Sequence, residues 1–506
     1  MTSQAAYILA LDLGTTGNRA ILFDRSGQMV SQAYRELTQY YPQPGWVEHD
    51  PRQIWQDTTW AMQSVIAKAQ ISPQQIAAIG MAVQRETCLL WDATTGRPLH
   101  NAIVWQDRRT APQCQQLAEA GYAPEIYQRT GLTLDAYFSA TKLRWLLDQV
   151  QQNDPLIDWQ QVRAGTIDTW ILWNLTRGQV HATDHSNASR TLLMNLPSCT
   201  WDDWLLDRFQ VPRAMLPTIQ PSLGLFGVTD VDFLNADIPI MAMLGDQQAA
   251  LFAHGCNQPG LLKCTYGTGC FLVAHTGSQI PRSHYQLLST IAWTTTTTTE
   301  HPIVGYALEG SMFTTGACIQ WLRDGLQMIT TAADTEALAL QAGSNGGVYF
   351  VPALSGLGTP HWDMTARGAF LGITAGVRRE HFVRAVLESI AYQVKEVVQA
   401  VQEDMGTSVA VLKVDGGACH NNFLMQFQAD VLGIPVERPA FLEATAQGAA
   451  FAAGLAIGFW QDYDALIQTR QIDRCFEPSR QSAEAIQQFD RWQEAVRRAK
   501  HWAVQS

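Results

Sequence analysis

The sequence predicts an α/β protein made of two related halves with a ligand cleft between two lobes. Three observations carry this expectation. At 506 residues the chain exceeds the size of one ordinary core, so two large domains, or three, are expected. Apolar runs of strand length alternate with amphipathic helical stretches, which is the pattern of βα units. The opening stretch Tyr7–Asp24, YILALDLGTTGNRAILFD, is matched in design by Leu261–Ala274, LLKCTYGTGCFLVA: an apolar run, a turn of small residues and a second apolar run. The division falls near residue 254, giving domains 1–254 and 255–506.

Taken in order, Tyr7–Leu11 and Ala20–Phe23 form the first hairpin, and Met29–Tyr34 a third strand. Asp50 and Pro51 suit the start of a helix that runs to about Ala69. The apolar run Ile76–Val83 exits into Gln84-Arg85-Glu86-Thr87, so polar side chains stand at the carboxyl end of a buried strand. That edge is where ligands bind in open α/β sheets. Further units are expected at Leu89–Trp91, Ala102–Trp105, after Thr110, and at Thr141–Gln149, Ala164–Asp168 and Thr191–Asn195. Ile238–Leu244 then exits into Gly245-Asp246-Gln247-Gln248. In the second half, Leu287–Trp293 and Ile303–Leu308 flank a threonine run, Thr294–Thr299, that reads as a loop. Ser311–Leu326 reads as a helix, Val348–Pro352 leads into a Gly-rich loop, and Arg378–Gln402 has the spacing of a long amphipathic helix. Val409–Val414 reads as a strand leaving into Asp415–Asn422, and Ala446–Ala456 as a closely packed helix.

Composition excludes several classes. The net charge is −12 with pI near 5.4, and no Lys/Arg run suggests a nucleic-acid groove. Nine cysteines, odd in number and without C-x-x-C spacing, favour reduced thiols in a cytoplasmic protein over disulfides or structural zinc. No basic segment precedes an apolar stretch at the start, so no secretory signal is expected, and the most apolar later stretch, Gly448–Trp460, is too short to span a bilayer.

Small residues in both hairpin turns let backbone N–H groups approach a phosphate. Asp12 stands where the first strand meets its turn, and a carboxylate beside a phosphate needs a divalent cation between them, so Asp12 reads as a Mg²⁺ partner. The plainer alternative is a hairpin with a polar tip. The chain holds no G-x-x-x-x-G-K-[ST] and no G-x-G-x-x-G, so P-loop, protein-kinase and dinucleotide-fold readings lose support. Paired Gly/Thr hairpins, with Gly417 and Asn421 after a strand, remain as the way to hold a nucleotide. Phosphoryl transfer needs a base for the attacking hydroxyl, and Asp246 suits that role with Gln247 orienting the acceptor; the alternative is that Asp246 caps the following helix. Arg85 and Glu86 form a donor–acceptor pair suited to polyol hydroxyls, or else a surface ion pair. Trp105, Tyr137 and Phe271 suit the C–H edges of a polyol, or else the core.

These stretches together resemble the FGGY carbohydrate kinase family, within the actin- and hexokinase-like ATPase superfamily. YFSATKLRWLLDQ (Tyr137–Gln149) and GAFLGITAGVRREHFVRAVLE (Gly368–Glu388) fit the family signatures. PGWVEHDP, QRET, NAIVWQ, NASRT, GDQQAALF, TYGTGCF, YALEG, IQWLRD and DGGACHNNFLMQFQ look like the versions found in members that phosphorylate glycerol. The resemblance implies two ribonuclease-H-like domains with an interdomain cleft that closes on substrates, and ATP-dependent transfer to the terminal hydroxyl of glycerol. It implies Asp246 as catalytic base and Arg85, Glu86, Trp105, Tyr137, Asp246, Gln247 and Phe271 around glycerol. Thr15, Thr16, Gly17 and Arg19 match the first phosphate turn, Asp12 the Mg²⁺-associated carboxylate, and Thr268, Gly316, Gln320, Gly417 and Asn421 the nucleotide positions of the second half. Homodimers or homotetramers are implied as well. The usual D-Q-G-T-T-S-S-R turn is D-L-G-T-T-G-N-R here, so a serine hydroxyl contact to phosphate is expected to be missing at Gly17. Two other readings stay open: a kinase of the same family acting on a pentulose, erythritol or gluconate, and an actin-like nucleotide-gated binding protein.

Overall fold

The computed structural model describes residues 5–295, 302–479 and 482–503. Its centre is one 13-stranded sheet in which the same plan occurs twice. In the first half β1 (Tyr7–Leu13), β2 (Gly17–Phe23) and β3 (Met29–Glu36) form an antiparallel meander. The helix α1 (Pro51–Ala69) follows, opened by the Asp50 carboxylate accepting from the Arg52 N–H at 2.8 Å. Next come β4 (Ile76–Val83), β5 (Leu223–Val228) and β6 (Pro239–Gly245), with β4 parallel to both β1 and β6. The helix α2 (Asp246–Ala253) closes the half.

The second half repeats this with β7 (Leu262–Tyr266), β8 (Cys270–Gly277), β9 (Leu288–Thr295) and β10 (Ile303–Met312). A short helix α3 (Gly316–Gln320) precedes the long α4 (Arg379–Met405), and β11 (Leu412–Asp415) pairs parallel to β7. Then follow α5 (Asn422–Leu432), β12 (Val436–Pro439), α6 (Ala444–Ala456) and β13 (Ile472–Phe476). The strand order is β13-β12-β11-β7-β8-β10-β9-β5-β6-β4-β1-β2-β3, so the two halves meet between β9 and β5. The expected pair of related halves, each opening on a hairpin, is therefore present.

One helix crosses from half to half. The Ala- and Gly-rich α6 lies against β4, β1 and α2, and its Ala449, Ala450 and Phe451 share a core with Ile8, Ala78 and Leu244. Backbones come so close there that a Cβ on Gly448 would stand 1.8 Å from the Ala249 carbonyl oxygen. A small four-stranded sheet (Glu48–His49, Ala102–Ile103, Cys88–Asp92, Val162–Thr166) with the helix Ser139–Asn153 forms a separate layer of the first half. No helix among the described residues is long and apolar enough to cross a membrane.

Some elements differ from expectation for physical reasons. Ser311 and Met312 extend β10 rather than starting a helix, because they pair with Phe271 and Cys270 of β8. The helix is left with Gly316–Gln320 and one wide turn at Trp321–Gly325. Of Thr191–Asn195 only Met194–Asn195 is extended, since the Thr191 hydroxyl donates back to the Ala188 carbonyl at 2.8 Å. The strand at Ala102 ends at Ile103, and the one expected from Val409 starts at Leu412. Thr296 to Thr299 lie outside the described residues.

Candidate active site

The turn expected to hold a phosphate is Gly14–Thr16, closed by the Gly14 N–H donating to the Gly17 carbonyl at 3.0 Å. Asp12 stands opposite Arg19 in the hairpin. Burial pushes its carboxyl up to about 6 against the pull of Arg19, and the like charges of Asp246 and Asp415 add to the rise. Three carboxylates on different strands and helices thus share one field, but no three His, Cys, Asp or Glu side chains among the described residues are placed to hold a metal ion by themselves. Arg19 reaches across to the other half and pairs with Glu443, just before α6, while its guanidinium lies 5.2 Å from the Tyr34 ring centre. Tyr34 also covers Gly17: a Cβ there would stand 2.4 Å from the Tyr34 hydroxyl, which itself donates to the Thr16 carbonyl at 3.3 Å. Asn18 points elsewhere, its amide donating to the Ile54 carbonyl at 3.3 Å. Thr16 is exposed, and the Thr15 hydroxyl accepts from the Trp105 indole N–H at 2.8 Å.

The two polar strand exits converge beside this turn. Asp246 occupies the first position of α2, after Gly245, so it is not the helix cap. Its carboxylate accepts from the Gln247 backbone N–H at 2.8 Å and from the Gln247 side-chain amide at 3.1 Å, and lies 3.3 Å from Arg85 Nε. Its side chain is 26% exposed, against 2% for Arg85 and Glu86. The surface ion-pair reading of Arg85 and Glu86 fails: both are buried and stand 4.0 Å apart, each engaged elsewhere. Arg85 donates to Glu309 at 2.5 and 2.9 Å, to Gln248 at 3.3 Å and to the Tyr137 hydroxyl at 3.5 Å. Glu86 sits in the left-handed region with φ 62°, a strained conformation of the sort kept at ligand sites. Trp105 meets Tyr137 edge-on at 5.7 Å and Phe271 at 5.6 Å, so three rings wall the polar group.

In the second half the turn Gly267–Gly269 stacks on α3. The Gly267 carbonyl accepts from the Gly316 N–H at 3.0 Å, and the Thr268 carbonyl from the Thr315 and Ala317 N–H groups at 3.0 and 3.1 Å. A Cβ at 316 would stand 2.6 Å from the Gly267 oxygen, so only glycine fits. Ile319, Ala332, Thr335, Leu340, Gly417 and Asn421 line a neighbouring cavity of about 530 Å³. Asn421 caps α5, accepting from the Leu424 N–H at 2.9 Å, and its amide donates to Thr335 at 3.0 Å. Gln320 is exposed at the end of α3 and is not among the residues lining that cavity.

Several polar side chains at the site carried no assigned role in the sequence. Buried Lys263 on β7 donates to the Gln247 side-chain oxygen and, at 2.7 Å, to Thr265. His254 lies 2.7 Å from Asp415 and 2.9 Å from an Arg470 nitrogen. Burial lowers His254 to about 4, so it is neutral, and with Arg470 donating to Nδ1 its proton sits on Nε2 facing Asp415. Arg190 and Glu309 complete the group behind Arg85 and Glu86. Each of Lys263, Arg190 and Glu309 interrupts an apolar or small-residue run, and a charge within a buried strand was the available signal.

The chain matches the FGGY family of carbohydrate kinases, N-terminal domain, over residues 7–253 and its C-terminal domain over residues 262–457. The chain belongs to the FGGY family of carbohydrate kinases. It is 68% identical to a glycerol kinase of Acaryochloris marina, covering 99% of this chain and 100% of that one. It is 54% identical to glycerol kinase 2 of Thermotoga maritima over 98% of this chain and 99% of the other. Among solved structures it resembles a Plasmodium falciparum glycerol kinase with ADP, at TM-score 0.86 and 33% identity with 99% of each chain covered. A ligand-bound xylulose kinase of Lactobacillus acidophilus shares the fold at TM-score 0.85 and 22% identity, covering 97% of this chain and 98% of that one. The two ribonuclease-H-like units of this FGGY chain are thus the family's two domains.

Proposed function

We propose that the protein phosphorylates glycerol with ATP, giving sn-glycerol 3-phosphate and ADP. The observation that carries this reading is the Trp105–Thr15 hydrogen bond of 2.8 Å, which fastens the ring-walled polar pocket to the first phosphate turn. An acceptor in that pocket lies next to a phosphate held by the turn. The full-length likeness to glycerol kinases favours glycerol over a sugar or gluconate.

Glycerol lies against Trp105, Tyr137 and Phe271, with its hydroxyls between Arg85 and Glu86. Asp246 accepts the proton of the terminal hydroxyl as that oxygen attacks the γ-phosphorus, and Gln247 holds the carboxylate and the acceptor in line. The Gly14–Thr16 and Gly267–Gly269 turns hold the phosphates through backbone N–H groups, with Thr15, Thr16, Gly17 and Arg19 on one side and Thr268 and Gly316 on the other. Adenosine occupies the cavity beside Gly417 and Asn421, and Gln320, exposed next to Ile319 of its lining, is the nucleotide position this structure supports least. Asp12 would hold Mg²⁺, which when bound would supply positive charge against that developing on the phosphate oxygens. Closing the cleft excludes water and suppresses ATP hydrolysis.

The domain division lies between residues 254 and 255, supported by the end of α2 at Ala253 and the start of β7 at Leu262. Free thiols support a cytoplasmic setting, and homodimers or homotetramers remain the family expectation. ADP formation measured against a panel of glycerol, erythritol, pentuloses and gluconate tests the reading; glycerol should give the highest kcat/KM. Asp246→Asn should lower kcat by about 10²- to 10⁴-fold while ATP binding persists, and a fully active variant removes Asp246 as base.

A further inference from the structure

Behind the polar pocket four charges alternate in sign, all of them buried. Arg190 Nε donates to Glu86 Oε1 at 2.7 Å and Arg190 Nη2 to Glu309 Oε1 at 3.0 Å, while Glu309 receives both outer nitrogens of Arg85. Arg190 and Glu309 have side chains 0% exposed, and neither touches solvent or the open face of the pocket. We propose that Arg190 and Glu309 are positioning residues of the acceptor site: Arg190 aims the Glu86 carboxylate and Glu309 aims the Arg85 guanidinium at the polyol. The proposal rests on the reading of that pocket as the polyol site.

The arrangement is poor value as a stabilising device. Two buried ion pairs do not in general outperform apolar side chains of similar volume, and Arg190 Nη1 is left buried without a hydrogen-bond partner. Its geometry suits orientation instead. Arg190 engages one oxygen of Glu86 and leaves Oε2 for a hydroxyl, and the bidentate grip of Glu309 fixes the plane of the Arg85 guanidinium whose Nε faces Asp246 at 3.3 Å. Glu309 comes from β10, the strand that leads through Met312 to Gly316 in the second half. One side chain therefore ties the acceptor pocket of the first half to the phosphate turn of the second.

Glu309→Gln, which keeps the shape and removes the charge, and Arg190→Gln, which removes the charge and the fork, test this by steady-state kinetics and thermal melts. Both should raise the glycerol KM at least tenfold and leave the ATP KM within twofold. The groups facing Glu86 are Arg85, Arg190, Glu309, Tyr137 and Lys142. Burial raises the Glu86 carboxyl and Arg190 opposes it, so in Arg190→Gln the acid limb of kcat/KM for glycerol should move to higher pH. Arg190→Lys should return that limb towards its original position without restoring the KM, because lysine keeps the charge and loses the fork. Should Arg190→Gln fail to fold, Glu309→Gln and Arg190→Lys are read in the same way. Folded variants with an unchanged glycerol KM, or with glycerol and ATP KM rising in parallel, overturn the proposal alone. A parent protein that releases no ADP with any polyol overturns the substrate reading beneath it.

Discussion

The two phosphate hairpins share a strand plan and differ in what they place in the cleft. The first, β1–β2, presents side chains: Asp12 and Arg19 opposite each other, the Thr15 hydroxyl bound by Trp105, and Tyr34 laid over Gly17. The second, β7–β8, presents backbone. Its Gly267 and Thr268 carbonyls are taken up by N–H groups at the start of α3, and its charged residue, Lys263, is engaged by Gln247 and by Thr265 of its own strand. On the proposed reading, one hairpin would carry charge to the reacting phosphate and the other would give it a rigid backbone wall.

If that division of labour holds, substitutions at equivalent places should have unequal effects. Asp12→Asn should lower activity by about 10- to 100-fold and raise the Mg²⁺ concentration needed for half-maximal rate, whereas Thr268→Ala should change kcat little. Equal losses in the two would break the comparison. Gly316→Ala places a methyl 2.6 Å from the Gly267 oxygen. It should destabilise the second turn by about 1–3 kcal/mol and raise the ATP KM more than Thr268→Ala does; melting curves and ATP titrations read both.

The histidines behind the hairpins sharpen the comparison by pH. His49, near Gln84 in the first half, and His254, against Asp415, are each lowered to about 4 by burial. The unfolded chain takes up these protons below about 6.5 and the folded chain does not until near 4, so stability falls as pH drops through that window. Each contributes a slope of up to about 1.4 kcal/mol per pH unit. His49→Gln and His254→Gln should each flatten the acid side of the Tm–pH curve, and one variant doing so alone would show that the site behind the first hairpin and the one against Asp415 of the second half are unequally shielded. Gly17→Ser should have the smallest effect, about two- to threefold in ATP KM, because Tyr34 must swing out to admit the new side chain. Adding Tyr34→Ala should relieve that clash, and a double-mutant cycle without coupling would remove Tyr34 from the turn.

Much of this was legible in the residues. The hairpins, the polar strand exits at Arg85–Glu86 and Asp246, and the repeated plan follow from period-two apolar runs broken by glycine-rich turns, which are local signals. Pairing with distant strands was not local. Ser311 reads as helical and is extended because β8 lies beside it, and Asn18, placed in the phosphate turn by sequence, turns to Ile54 across 36 residues of chain.

The sequence by itself determined the family, most of the order of the elements and the residues proposed to bear the chemistry, since these depend on residue identity and short-range spacing. Only the tertiary structure decided which charges face each other. Arg85 is 224 residues from Glu309 and Arg190 is 104 from Glu86, yet the fold buries them within hydrogen-bond reach of each other. A charge inside an apolar run announces that a partner exists, and its identity is set by which strands the fold lays side by side.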